Sequence, residues 1–134
     1  MQLLREHRLD PRVRTQHRIE LRMDGSDEWR SHRTVNLSVN GARCCGREAL
    51  APRAMLEVRL WLPDGADGER VLRGGGRVVH GHVHFEGRGG VSSYEYGLVF
   101  ENWTSVDRAV LRDFLFDIMA GDSTDDRPRA RTRR

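Results

Sequence analysis

The chain contains no lysine; its 23 basic residues are all arginine. A compositional bias toward a GC-rich genome explains this as well as function does, so abundant arginine alone does not indicate nucleic acid. Cysteine is scarce, and Cys44 and Cys45 are adjacent. Neighbours in a strand point to opposite faces, so the pair is poorly placed to bridge, and two reduced thiols in or near a sheet are expected. No apolar run approaches the ~20 residues of a membrane span. The opening "MQLLREHRLD" has no long apolar segment, which argues against a secretory signal and for a cytoplasmic protein. The glycosylation-like "NLS" at 36 and "NWT" at 102 carry no meaning there. Also missing are a Ser-His-Asp order, a nucleophile elbow and paired carboxylates, so nothing points to an enzyme.

What is present suits one domain of 134 residues, with 37% hydrophobic and 32% charged residues. The apolar residues are clustered, and several segments alternate. "RIELRM" sets Ile19, Leu21 and Met23 against Arg18, Glu20 and Arg22. "MLEVRLWLP" sets Leu56, Val58, Leu60 and Leu62 against Met55, Glu57, Arg59 and Trp61. Such alternation predicts half-buried strands. "SHRTVNL" and "GARCC" are two more, joined by a turn at Asn40 and Gly41. "RVLRGGGRVVHGHVHF" is one long strand with a bulge or sharp bend at Gly74, Gly75 and Gly76. "YEYGLVFE" is the last. Short strands separated by turn signals predict an antiparallel sandwich or barrel.

The period then changes. Val106, Val110, Phe114 and Ile118 recur every four residues beside Leu111 and Leu115, which predicts an amphipathic helix over 105–120. Thr104 is the expected N-cap, Asp107 holds the capping-box position, and Gly121 suits the stop. Residues 1–13 form a flexible arm, 14–120 the domain, and 121–134 a disordered Arg-rich tail.

Two arrangements hint at metal or phosphate. "HGHVH" puts His80, His82 and His84 on one strand face, but no further ligands for zinc can be named, and an exposed polar face explains them equally. "RGGGR" is not a Walker loop and precedes no helix. No metal or cofactor is expected. More informative are Arg14 and Arg18, four apart ahead of the first strand, and the stretch "VNLSVNG". In that stretch Leu37 and Val39 read as one buried side and Asn36, Ser38 and Asn40 as the other, closed by Gly41. Two guanidinium groups on one side make a double fork for phosphates or for a guanine edge. The Arg spacing alone recurs at 8/12, 18/22, 43/47 and elsewhere. The information lies in the combination.

That combination resembles the PilZ domain family of bacterial cyclic di-GMP receptors, whose pattern is R-x-x-x-R, a strand, then (D/N)-x-S-x-x-G. "RTQHR" at 14–18 matches the first part and "NLSVNG" at 36–41 the second. "LWLPDG", "GRVVHG" and "YGLVFENWTSVDRAVLRDFL" are similar to the family's middle strands, final strand and closing helix, so the likeness spans roughly residues 12–120. It implies a mainly β fold, a six-stranded antiparallel β-barrel with a C-terminal α-helix packed on it. It implies that Arg14 and Arg18 grip phosphates and guanine edges, that Asn36 bonds a guanine, that Ser38 bonds a base or phosphate, and that Gly41 keeps the floor open. Asn40 and Arg12 are further candidates. Val13 stands where many members carry another Arg that influences whether one ligand or an intercalated pair binds. His80 falls near a position where members often have a stacking aromatic residue. Asn36 replaces the commoner Asp. The implied function is a non-catalytic cyclic di-GMP effector that changes its N-terminal arm and the surface seen by an unidentified protein partner. The alternatives are an interaction module that no longer binds the nucleotide and a small nucleic-acid-binding barrel using the Arg-rich tail.

Overall fold

The computed structural model describes residues 12–79 and 83–125, the last four without their side chains. Eight strands and one long helix follow in order: β1 (Val13–Arg14), β2 (Arg18–Met23), β3 (Trp29–Ser38), β4 (Gly41–Gly46), β5 (Met55–Asp64), β6 (Gly68–Val78), β7 (Val83–Glu86), β8 (Ser92–Glu101) and α1 (Ser105–Asp125). All pairings are antiparallel. Around the sheet the order is β3-β2-β5-β6-β8-β4, and β4 pairs back onto β3. Six strands therefore close into a barrel, which leaves no exposed edge among them. β1 lengthens the β2 side of β3, and β7 extends the barrel along β8.

Alternation dictates the core. Ile19, Leu21, Leu56, Val58, Leu60 and Leu62 all point inward and are buried. Burying each such side chain contributes about 1.5–3 kcal/mol. Cys44 lies inside with them and Cys45 is half-buried, both as free thiols. Burial raises both thiol pKa values, so neither is a ready nucleophile. Helix α1 lays Leu111 and Leu115 on the barrel, with Val110, Phe114 and Ile118 partly buried beside them.

Several expectations need correction. The triple glycine makes neither bulge nor bend. β5 and β6 pair without a register shift from Met55↔Arg77 to Asp64↔Gly68. The glycines make room for Trp103, 28 residues downstream. A Cβ at Gly74 would lie 2.2 Å from the Trp103 ring, and Trp103 Nε1 donates to Gly75 O at 2.8 Å. The single long strand expected over 70–85 is instead β6 and β7, which end and begin on either side of residues 80–82. The two-residue loop of the β3–β4 hairpin is Val39-Asn40, with Gly41 already in β4. Helix α1 continues through Gly121, where an added Cβ would meet nothing, so this glycine does not end it. Val106 is 68% exposed and lies off the buried stripe. Thr104 does cap α1, its Oγ1 accepting from Asp107 N at 3.0 Å, but the Asp107 carboxylate accepts from Arg73 N of β6 instead of closing a capping box. Val13 is 7% exposed and pairs with Leu37, so it belongs to the barrel and not to an arm. The N-terminal arm before Arg12 and the tail after Asp125 lie outside the described residues.

Candidate ligand-binding cleft on the barrel wall

The β3–β4 hairpin carries the stretch "VNLSVNG", and its three polar residues part company. A register shift between Thr34 and Asn36 turns Asn36 outward while Leu37 stays fully buried. Ser38 is 4% exposed and braces the hairpin: its Oγ donates to Gly41 O at 3.3 Å and accepts from Asn40 N at 3.2 Å. Asn40 Oδ1 accepts from Arg108 Nη2 of α1 at 3.1 Å, tying the loop to the helix. Gly41 faces Val99 of β8, and a Cβ there would sit 2.1 Å from Leu98 O. Close backbone approach, not a positive φ, is what demands glycine at that position.

Beside this hairpin lies a cleft of about 370 Å³, lined by Arg12, Asn36, Asn40, Gly41, Ala42, Arg43, Val79, Gly97, Leu98 and Val99. Asn36, Arg43 and Gly97 are cross-strand partners in one row over β3, β4 and β8. Gly97 brings no side chain to this row, and Val79 and Val99 add apolar surface. Arg12 Nη1 donates to Asn36 Oδ1 at 2.6 Å. Arg43 Nε donates to Glu95 Oε1 at 2.7 Å, which fixes its guanidinium at the cleft. The lining contains cations, amides and apolar groups, with no carboxylate, imidazole, thiol or hydroxyl among the described residues. Such a surface can hold an anion and a flat ring.

The two arginines of the R-x-x-x-R spacing are placed differently. Arg14 is the cross-strand partner of Asn36, so the two side chains leave the sheet side by side. Among the described residues the Arg14 guanidinium has no ion pair or hydrogen bond. Arg18 pairs with Arg33 on the same strand β3, roughly 10 Å further along. Its guanidinium lies 4.3 Å over the ring of Trp61 on β5, outside the cleft lining. The structure thus gathers Arg12, Asn36, Asn40 and Gly41 at the cleft, places Arg14 beside Asn36 but outside the lining, sets Val13 in the core, tucks Ser38 into the hairpin and leaves Arg18 to one side. His80 and His82 lie outside the described residues, and His84 is stacked on Tyr94. Arg43 and Gly97 were missed from sequence. A two-residue hairpin loop places Arg43 opposite Asn36, and that register was the available signal for it.

The PilZ domain family model matches residues 6–117. The chain belongs to the PilZ domain family. No curated protein matches it. Among solved structures, this PilZ domain is similar to the PilZ domain with c-di-GMP of YcgR from Escherichia coli, at 10% identity and TM-score 0.65, covering 89% of this chain and 97% of that one. It is also similar to the K. pneumonia MrkH-c-di-GMP complex, at 18% identity and TM-score 0.64, covering 85% and 52%. The Bacillus subtilis inhibitor of motility MotI/DgrA matches at 13% identity and TM-score 0.67, covering 84% and 51%. The chain therefore spans about half the length of the MotI/DgrA and MrkH chains and nearly all of the YcgR domain. At these identities the likeness shows a shared fold, the closed six-stranded barrel with its C-terminal helix. No helix among the described residues is long and apolar enough to cross a membrane.

Proposed function

We propose that this PilZ domain is a non-catalytic receptor for cyclic di-GMP that passes occupancy of its cleft to a protein partner. The observation that carries the reading is the pairing of Arg14 with the cleft residue Asn36, which sets the Arg14 guanidinium, free of partners among the described residues, beside the cleft. A cyclic dinucleotide brings two phosphates and two flat bases. Arg14 and Arg12 answer the phosphates, Arg43 and Asn36 the polar edge of a guanine, and Gly97 lies under the ring. Structure neighbours that carry c-di-GMP on the same fold support the ligand class. Arg18 completes the grip by swinging off Trp61.

Signalling follows from one contact. Arg12 holds the Asn36 side-chain oxygen, and a guanine that claims Asn36 takes that acceptor away. The chain before Val13 is then released or re-seated, and the surface a partner meets changes. The ligand shifts this equilibrium only as far as it binds one arrangement better than the other.

Calorimetric titration of the full chain with cyclic di-GMP tests the proposal. Charge-assisted hydrogen bonds are worth about 1.5–3 kcal/mol, so Arg14→Ala should weaken binding about 10- to 100-fold. No heat from the unsubstituted chain would leave a PilZ interaction module that does not bind the nucleotide. Heat that survives Arg14→Ala and Asn36→Ala together would move the ligand elsewhere.

A further inference from the structure

A second and larger cleft, of about 560 Å³, opens on the β3–β4 face, and it shares no lining residue with the one at Asn36. Arg30, Ser31, His32 and Arg33 of β3 line it with Cys45 and Gly46 of β4, Arg47, Glu48 and Ser93. Its charges are unbalanced. Glu48 is its single carboxylate among the described residues, and Arg30 binds it. Arg30 also reaches Glu28 at 3.2 Å. Arg33 and Arg47 have no carboxylate partner among the described residues.

A buried donor also faces this space. His32 is 4% exposed, and its Nδ1 is hydrogen-bonded with Tyr96 Oη. Tyr96 is fully buried, its hydroxyl pKa is raised by that burial, and no other partner for the hydroxyl is found among the described residues. The phenol therefore keeps its proton and donates it to Nδ1. Burial and the neighbouring Arg30 push the imidazole pKa down to about 4, so the ring is neutral at pH 7 and carries its own proton on Nε2. Nε2 lies 3.7 Å from Glu48 Oε1, beyond hydrogen-bond reach. Gly46 is what lets the ring lie there, since a Cβ would come within 2.1 Å of it.

We propose that this cleft is an anion site separate from the dinucleotide cleft, and that it takes a phosphate group carried on a small molecule. Arg33 and Arg47 supply two forks, His32 Nε2 a fixed donor at the back, and Ser31 and Ser93 hydroxyls at the rim. Arginine forks match the oxygens of a phosphate. The volume falls in the range of small-molecule sites, so there is room for the group that bears the phosphate. The inference stands whether or not cyclic di-GMP binds at Asn36.

The test uses the ¹⁵N-labelled full chain, titrated with inorganic pyrophosphate at constant ionic strength. Saturable shifts of the Gly46 and Ser93 amides are expected, with a midpoint near or below about 1 mM. Arg33→Ala and Arg47→Ala should each weaken this binding roughly 10-fold, and Arg14→Ala should leave it unchanged. Both variants alter exposed side chains, and an unchanged spectrum elsewhere confirms the fold. Shifts that never saturate, or that persist in the double variant, overturn the proposal. So does loss of cyclic di-GMP binding in the double variant, because the two clefts would then be one site.

Discussion

The Arg18 guanidinium rests 4.3 Å above the Trp61 ring, on the side of β2 away from β3 and Asn36. Trp61 is itself pinned, its Nε1 donating to Glu20 Oε1 at 3.1 Å, and Arg59 reaches the same carboxylate at 3.0 Å. The second arginine of the motif is therefore held against the barrel, away from the cleft.

Removing its platform should help the ligand. A partly exposed cation–π contact is worth about 0.5–1 kcal/mol. Trp61→Leu should then tighten cyclic di-GMP binding roughly two- to five-fold, read by calorimetry. A weaker complex would mean instead that Trp61 presents Arg18 to the ligand.

Stability should fall with mild acid. Folding lowers the His32 pKa from 6.5 to about 4, mainly by burial. The unfolded chain therefore binds more protons between these values. The stabilisation is complete above pH 6.5 and is lost as pH falls toward 4. Linkage gives about 2 kcal/mol lost between pH 7 and 5. Burial lowers the His17 pKa as well, which adds in the same direction. Urea midpoints across this range measure the slope, and His32→Leu should flatten it while lowering stability throughout, because the Tyr96 hydroxyl loses its acceptor.

Gly74→Ala should destabilise the barrel through Trp103. The new methyl would sit 2.2 Å from Trp103 Cδ1, and Trp103 also stacks on Phe100 at 4.4 Å. Overpacking of this kind costs about 1–3 kcal/mol. In a double-mutant cycle by urea unfolding, Gly74→Ala should cost much less when Trp103 is already Ala. Strictly additive costs would show that the glycine serves some other contact.

The same tryptophan shows where legibility from sequence ended. Local alternation was enough for β2 and β5, because in-facing Leu56, Val58, Leu60 and Leu62 answer only to the period of a strand. The helix stripe at Leu111 and Leu115 was legible for the same reason. The reason for the triple glycine is not legible locally, because it is a side chain 28 residues away that packs on it only after the barrel closes. The helix end is not legible from Gly121, because an added Cβ there meets no obstacle and the helix runs on through it. At the candidate site, the pairing of Arg14 with Asn36 is not legible, because β1 is only two residues long and shows no period. Nor is the direction of Arg18, since it depends on Trp61 arriving from β5 on the other side of β2.

Ser38 offers the sharpest separation of scaffold from ligand grip. Its hydroxyl is buried and serves the loop, accepting from Asn40 N and donating to Gly41 O. Ser38→Ala leaves the Asn40 amide without that acceptor and should cost about 1–2 kcal/mol of stability. Any loss of cyclic di-GMP affinity should then follow from a loosened hairpin, which carries Asn36 and Asn40 at the cleft. Arg14→Ala should do the opposite, lowering affinity with the urea midpoint unchanged, because an exposed side chain with no partner among the described residues contributes little to the fold. Measuring both variants by urea unfolding and by calorimetry decides the matter. If Ser38→Ala abolishes binding at full stability, the hydroxyl must leave the hairpin and touch the ligand rather than brace the loop.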